Sequence, residues 1–439
     1  AFAMAARGTA VSPEAGRSAG QPMFEFGRDL RKLFDKARES DDLGWLELIG
    51  ADLVEAEARR EQVDAGRASC VRPFDSWIRA SGLWREHARR TGRRESLERA
   101  AKCASDAARH AGLPDEAAAA AVESGEIHLL RFDLFGGPPA LTAALADAQA
   151  LTAGRPATRA AAAALHARLC ARRARLSGSA ANLLDAAALL DAALHGARAL
   201  PPAAGDELRL DRAGLALEAG VAQRDPRLLD QAGRDLRALV ETASPDYRPL
   251  TRARALALAG AGLTALAELA GSDTALAQGR ALFEAAADQF TPDHSPLDWV
   301  AVRLAQATAD TPLPPLAEAE ALSREPGLIL GALAREHRLA AEAALAGSRA
   351  DVEALTGLEA MVRRRLAAAV RPEPLDWAAD QIGMAHLALA RARLTATEPR
   401  AVGLMLAEAI ETAREWGAPA LARRAVLAMP KNEGLGARG

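Results

Sequence analysis

Residues 281–299 contain the repeat that organises this chain. An apolar run, Ala281-Leu282-Phe283-Glu284-Ala285-Ala286-Ala287, is followed by Pro292, and a second run opens with Pro296-Leu297-Asp298-Trp299. The same opening returns 78 residues downstream as Pro374-Leu375-Asp376-Trp377, again between two Ala-rich runs. Since 78 residues is the length of two helix pairs, the chain is predicted to repeat a helix-pair unit.

The start of the second run has the residues expected at a helix N-terminus. Ser295 is placed to cap the first free backbone N–H groups, and the ring of Pro296 favours the first helical turn. Asp298 lies where a negative charge suits the positive end of a helix. Trp299 is expected to begin the buried face. In the second copy Glu373, a poorer cap, replaces the serine.

The composition indicates an all-α protein. Of 439 residues, 50% are hydrophobic, which is enough for a sizeable core, yet only 4% are aromatic and Tyr occurs once. Almost no window has the alternating β-branched and aromatic pattern that a strand requires. A formal charge of -3 and a pI near 6.3 exclude a globally basic protein that binds nucleic acid by neutralising phosphates.

The cysteines Cys70, Cys103 and Cys170 are far apart and form no C-x-x-C pair. They indicate neither a disulfide framework nor a zinc site, and we expect buried thiols in a cytoplasmic protein. No run of about 18 apolar residues lacks a charged residue, so no membrane span is predicted. Residues 1–23 are predicted to be a disordered leader without a secretory signal, and residues 431–439 a flexible tail.

Prolines mark the repeat along the chain. They recur every 30 to 48 residues at or near predicted helix starts: Pro114, Pro156, Pro202, Pro249, Pro296, Pro326, Pro374 and Pro419. Short breakers such as Gly136-Gly137 divide each interval into two helical runs. One helix hairpin cannot bury its own apolar face, so about eight neighbouring pairs are expected to stack around a continuous core.

The helix pairs resemble tetratricopeptide repeats (TPR) of a degenerate bacterial type. Gly279, Phe283 and Ala286 follow the family's order of a small residue, a large residue four later and Ala three later, and Pro292 closes the unit one residue late. The resemblance covers about residues 249–417. It implies a right-handed α-solenoid of stacked antiparallel helix pairs. Helix pairs of the HEAT type are the alternative, because the units exceed the usual length of about 34 residues.

The chain is predicted to divide into an N-terminal helical cap with the first helix pairs (24–113), degenerate helical repeats (114–248) and TPR-like repeats (249–430). Much of the aromatic mass precedes residue 85, including Trp45, Trp77 and Trp84. An end cap needs such residues, because the first unit of a stacked array has no preceding neighbour. A homodimer interface through this aromatic-rich region is the alternative.

The helix predicted from Ala157 to Leu176 is the candidate binding surface. It carries five arginines and no acid, and Arg168, Arg172 and Arg175 lie three or four apart, on one face. We expect their field to attract an acidic peptide or protein tail into the groove formed by the first helices of successive pairs. The alternative is a solvated face whose arginines pair with acids from a neighbouring helix.

A second polar cluster consists of His128, Arg131 and Asp133. His128 and Arg131 are three residues apart on one helical face and are expected to touch a partner in the same groove. An ordinary exposed helix surface is the alternative.

Catalytic and cofactor motifs are not evident. No His has Glu three residues before it, and His-Glu-x-x-His is absent, so no metal site is predicted. The run Gly260-Ala261-Gly262-Leu263-Thr264-Ala265 matches a loose dinucleotide fingerprint, but no strand precedes it, and close helix packing explains it better. No cofactor is predicted, and the chain is expected not to be an enzyme.

These observations predict a non-enzymatic scaffold or regulatory adaptor that binds a protein partner or an acidic segment in its concave groove. The alternative is a sensor of the same architecture, in which the groove encloses a short peptide or a small ligand and changes curvature. A deep closed channel favours the sensor, whereas a broad open groove favours the scaffold.

Overall fold

The computed structural model describes residues 43–307, 312–368, 372–397 and 401–429. Contacts group residues 44–439 in one compact unit, and the other unit, residues 1–43, lies outside the described residues except for Leu43. The predicted leader (1–23), the start of the predicted cap (24–42) and the predicted tail (431–439) therefore lie outside the description.

The described residues form helices and no strand, which confirms the all-α prediction. Two short 3-10 segments lie at Leu43–Leu48 and Ala197–Ala199. The α-helices are α1 Ala51–Ala65, α2 Pro73–Thr91, α3 Arg94–His110, α4 Pro114–Phe135, α5 Pro138–Ala150, α6 Pro156–Ser177, α7 Ala180–Gly196, α8 Pro202–Gln223, α9 Pro226–Thr242, α10 Pro249–Ala270, α11 Asp273–Ala287, α12 Pro296–Gln306, α13 Leu313–Leu322, α14 Ile329–Ser348, α15 Val352–Ala368, α16 Pro374–Thr395, α17 Val402–Glu415 and α18 Pro419–Ala428.

Seven helices (α4, α6, α8, α10, α12, α16 and α18) begin at prolines that the sequence marks, because the first helical position needs no N–H donor and suits the fixed φ of proline. Pro326 differs from the other seven. It lies in a turn before α14, which begins at Ile329, and Gly327 takes a left-handed conformation in that turn, with φ of 74°.

The helices pack in chain order. Each helix contacts the next, and α2, α4, α6, α8, α10, α12, α14 and α16, which we call the first helices, also contact the first helix of the following pair. Small residues allow close packing. An added Cβ on Gly279 of α11 would lie 3.0 Å from the carbonyl oxygen of Gly260 in α10, so the glycine-containing run at 260–265 serves helix packing.

Helices of the sixth and seventh pairs contact helices of the first and second pairs. The first helix of the sixth pair, α12, contacts α2, and the first helix of the seventh pair, α14, contacts α4. Gly136, just after α4, lies so close to the carbonyl oxygen of Trp416 that no side chain would fit between them. The first helices of pairs one to six therefore surround a central space.

A buried arginine closes this circuit. The guanidinium of Arg90, in α2, is fully buried and donates to the carbonyl oxygens of Leu46 and Ile49 at 2.7 and 2.5 Å and of His294 at 3.3 Å. Glu86 lies 2.6 Å from its Nε atom. Because these acceptors satisfy the buried charge, the segment before α1 and the turn before α12 are both held against α2.

Candidate functional site

A cavity of about 470 Å³ lies between the first helices α2, α4, α6, α8, α10 and α12. All six contribute side chains to its wall, because the contact of α12 with α2 completes the circuit. The volume falls within the range of roughly 300–1,000 Å³ that is typical of small-molecule sites. This cavity is the main candidate site in the described part of the chain.

One charged position recurs in every first helix around the cavity, and its sign alternates from helix to helix. The six residues, which we call the charge ring, are Arg85, Glu126, Arg168, Asp211, Arg254 and Asp298. The spacing is one helix pair: 42 residues separate Glu126 from Arg168, and 43 separate Arg168 from Asp211. Each member therefore has the opposite charge from the equivalent residues of its neighbours.

Arg168 shows how the charge ring joins the helices. Its Nη1 atom lies 2.7 Å from a carboxylate oxygen of Glu126 in α4 and 3.2 Å from one of Glu207 in α8. Its Nε atom donates to Asp211, also in α8, at 2.9 Å. Arg254 of α10 pairs with Asp298 of α12 at 2.6 Å. These ion pairs therefore link helices of different pairs.

Burial and charge act in opposite directions on these groups. Burial by itself lowers the pKa of Arg168, but Glu126, Glu207 and Asp211 raise that pKa well above its ordinary value. Burial raises the pKa of Asp211, but Arg172 and Arg168 hold it below its ordinary value. At neutral pH these side chains are fixed charges, so they are poorly suited to the proton transfers of acid–base catalysis.

Apolar side chains form much of the remaining wall. In α10, Arg254 is followed by Ala257, Leu258 and Ala261, which line the cavity one and two turns further along the same helix face. The helix α12 repeats this order, with an acid followed by Ala, Val and Ala, and α4 adds three leucines. The cavity is therefore amphipathic, with fixed charges beside an apolar surface.

The structure brings Arg168, Arg172 and Arg175 together, since all three extend from α6 to the cavity. Acids on neighbouring helices pair with these arginines, as the alternative to a binding face expects, but Arg168 and Arg172 are largely buried and do not form a solvated face. Arg172 pairs with Asp133 of α4 at 2.8 Å, and Arg175 pairs with Glu218 of α8 at 2.8 Å.

His128 and Arg131 occupy a different face of α4. Both are exposed, and neither belongs to the wall of the main cavity, whereas Glu126 and Asp133 of the same helix do. The structure therefore does not bring His128 and Arg131 together with the arginines of α6.

The charged position was not recognised as a series from the sequence. The signal was present, because an acid lies 42 residues before Arg168 and another lies 43 residues after it, while Asp298 lies 44 residues after Arg254. Opposite charges at the length of one helix pair are the pattern that predicts such a series.

The Pro-Leu-Asp-Trp opening contributes to the site in a way that differs from the prediction. Ser295 does not accept a backbone hydrogen bond at the start of α12; its hydroxyl donates to Asp298 at 2.6 Å. Asp298 in turn pairs with Arg254, and the equivalent Asp376 pairs with Arg335 of α14 at 3.1 Å. The Asp of this motif therefore joins one helix pair to the previous one.

Two further features of the described residues bear on the kind of site. They contain no group of three or more His, Cys, Asp or Glu side chains that could hold a metal ion. One helix, α10 at Pro249–Ala270, is long and apolar enough to cross a membrane by length and composition. In this structure α10 packs between its neighbours and lines the cavity, so its apolar character also has a structural explanation.

Comparison with known proteins gives no family for this chain. No family model matches the sequence, and no curated protein matches it at significant similarity.

Proposed function

We propose that the helix pairs form a right-handed TPR-like solenoid with five pairs in each superhelical turn. Three observations support this architecture: the helices pack in chain order, prolines begin seven of them at a regular spacing, and α12 contacts α2. Stacked repeats acquire their curvature from a small rotation at each step, and a return after five pairs describes a tight curve.

We further propose that the protein is a non-enzymatic cytoplasmic sensor that binds a small amphipathic molecule inside this turn. The observation that carries the proposal is the cavity of about 470 Å³, surrounded by six first helices, with the charge ring beside an apolar wall. A scaffold needs an open inner surface for its partner. Here α12 contacts α2, so the first helices of the first superhelical turn surround the central space.

The wall favours a hydrocarbon chain over a peptide. Leu258, Val302 and the leucines of α4 have no polar atoms in their side chains. The charges of the ring already have partners, five of them within the ring and Arg85 with Glu123. A peptide backbone buried there would lack partners for its N–H and C=O groups, which costs free energy for each group. An alkyl chain has no such groups and gains from leaving water.

A ligand in this position contacts helices from both ends of the first turn. Binding that stabilises the contact of α12 with α2 would favour the form of the turn in which these helices touch. Loss of the ligand would allow the two helices to separate. This coupling gives the sensor its output as a change in curvature.

The proposal is tested by binding of three alkyl probes, dodecanoate, dodecanol and dodecylamine, measured by calorimetry and by thermal shift. We expect at least one probe to bind with a stoichiometry of one. Ala261→Trp should abolish binding, because the exposed methyl group of Ala261 faces the cavity and an indole would fill it.

The matched control is Leu269→Trp, an exposed position on the same helix that does not line the cavity. This variant should bind as the parent does. No binding of any probe below its aggregation concentration, or equal binding by Ala261→Trp, would contradict the proposed function.

A further inference from the structure

A second, smaller cavity of about 130 Å³ lies next to the main one and shares three lining residues with it, Asp133, Arg172 and Arg175. Its far side comes from the second turn of the chain, where Arg414 of α17 and the start of α18 contribute. Gly417 lies against Phe132 of α4 there. The small cavity therefore spans two parts of the chain that are far apart in sequence.

One of the three arginines that line this small cavity has no acidic partner in the described part of the chain. Arg172 forms ion pairs with two carboxylates, those of Asp133 and Asp211. Arg175 pairs with Glu218 through its Nε atom, and an arginine has further N–H donors on its terminal nitrogens. Arg414 is exposed and has no ion-pair partner among the described residues. Of the three arginines that line the small cavity, Arg414 is therefore the one without an acidic partner in the described structure, and Arg175 is the one with terminal N–H donors beyond its ion pair.

The neighbours of these arginines are apolar. Phe132, Leu176 and Ile329 line the small cavity beside Pro419. An anion held between guanidinium groups next to such residues is less exposed to water than at an open surface, so its hydrogen bonds to arginine are stronger. A planar carboxylate matches the planar fork of N–H donors that each arginine presents.

We propose that the small cavity binds the carboxylate head group of the ligand, held by Arg175 and Arg414, while the alkyl chain of the ligand lies in the main cavity. This inference rests on the proposed function and adds a substrate class to it: alkyl carboxylates of the fatty-acid type. Arg414 belongs to the second turn and Arg175 to the first, so the head group also joins the two turns.

The test compares dodecanoate with dodecanol, which has the same chain and no charge. The parent protein should bind dodecanoate more tightly, and Arg414→Ala should weaken dodecanoate binding by about ten- to a hundredfold, the usual range for a lost hydrogen bond to a charged group. Dodecanol binding should not change. The matched control is Arg423→Ala, an exposed arginine on α18 that does not line the cavity.

Charge reversal gives a second readout. Arg414→Glu should reject dodecanoate and bind dodecylamine more tightly than the parent does, since the small cavity then carries two carboxylates beside Arg172 and Arg175. Arg414 is exposed and without an ion pair in the described structure, so we expect both variants to fold, and their thermal unfolding checks this.

The outcomes separate the two proposals. If dodecanol and dodecanoate bind equally, or Arg414→Ala weakens both by the same factor, the head-group site is wrong and the amphipathic cavity stands. If no probe binds the parent protein, both proposals are wrong.

Discussion

The buried carboxylate of Glu47 accepts two hydrogen bonds from Thr251, from its backbone N–H at 2.8 Å and from its hydroxyl at 2.6 Å, although 204 residues separate them. Arg248 donates to the same carboxylate at 2.8 Å. Thr251 lies in the first turn of α10, where an anion suits free N–H groups. Glu47, which lies in the segment before the first helix pair, thus caps α10, the first helix of the fifth pair.

Glu47→Ala should destabilise the protein by about 3–5 kcal/mol, the range for removing one partner of a buried ion pair. The reason is that Arg248 and the N–H group of Thr251 would lose a buried acceptor. Urea unfolding followed by circular dichroism measures this.

The control for Glu47→Ala is Glu95→Ala, which removes an exposed carboxylate paired with Arg99 on its own helix. Exposed pairs of this kind contribute little. If the two variants have the same unfolding midpoint, Glu47 does not hold the turn closed.

Local patterns were sufficient to predict the helices. A proline at the first helical position acts through its own φ and its missing N–H group, so the starts of α4, α6 and α8 could be placed from the sequence. Trp84, one of the aromatic residues near the N-terminus, is buried, and its indole N–H donates to Gln62 at 2.8 Å. The choice between an end cap and a dimer interface stays a prediction.

Contacts between distant helix pairs could not be predicted in this way. Whether α12 meets α2 depends on a small rotation at each pair, which accumulates over five pairs and is set by the sizes of many Ala and Leu side chains. One acceptor of Arg90, the carbonyl oxygen of His294, lies 204 residues away, and the donors to the Glu47 carboxylate lie 201 and 204 residues away. No window of sequence contains both members of such a pair.

The ion pair of Arg254 and Asp298 should show strong coupling, because both side chains are mostly buried at the cavity wall. We expect Arg254→Met alone to destabilise by about 3–5 kcal/mol, since Asp298 would keep its charge without an ion-pair partner. The double variant Arg254→Met/Asp298→Leu should recover most of this loss.

A double-mutant cycle by urea unfolding measures the coupling between Arg254 and Asp298. The exposed pair of Arg99 and Glu95 is the matched control and should show weak coupling. Additive effects of the two cavity substitutions would show that the charge ring does not join the helices energetically.

His87 should make the protein less stable as the pH falls below neutral. It is fully buried, and its Nδ1 atom lies 2.8 Å from the hydroxyl of Ser96. Burial lowers the pKa of His87 from 6.5 to about 4; Glu55 opposes this shift and Arg93 adds to it. The fold therefore holds a neutral imidazole that the unfolded chain protonates more readily.

The direction in which pH changes the stability follows from this lowered pKa. The contribution of His87 to stability is complete above about pH 6.5 and is lost as the pH falls towards 4, which amounts to about 2 kcal/mol between pH 7 and pH 5. Unfolding of the parent and of His87→Gln at several pH values measures it. The slope of the free energy of unfolding against pH should flatten in His87→Gln. It should persist in His195→Gln, which removes an exposed histidine. Identical slopes in all three proteins would contradict the assignment.

The most direct test of the amphipathic cavity is a crystal structure with ω-bromododecanoate, whose bromine can be located by anomalous scattering. We predict one bromine peak inside the first turn, against Leu258 of α10 and Val302 of α12, with the carboxylate near Arg414. A bromine peak only on the outer surface, or crystals of the soaked protein with an empty cavity, would contradict the account.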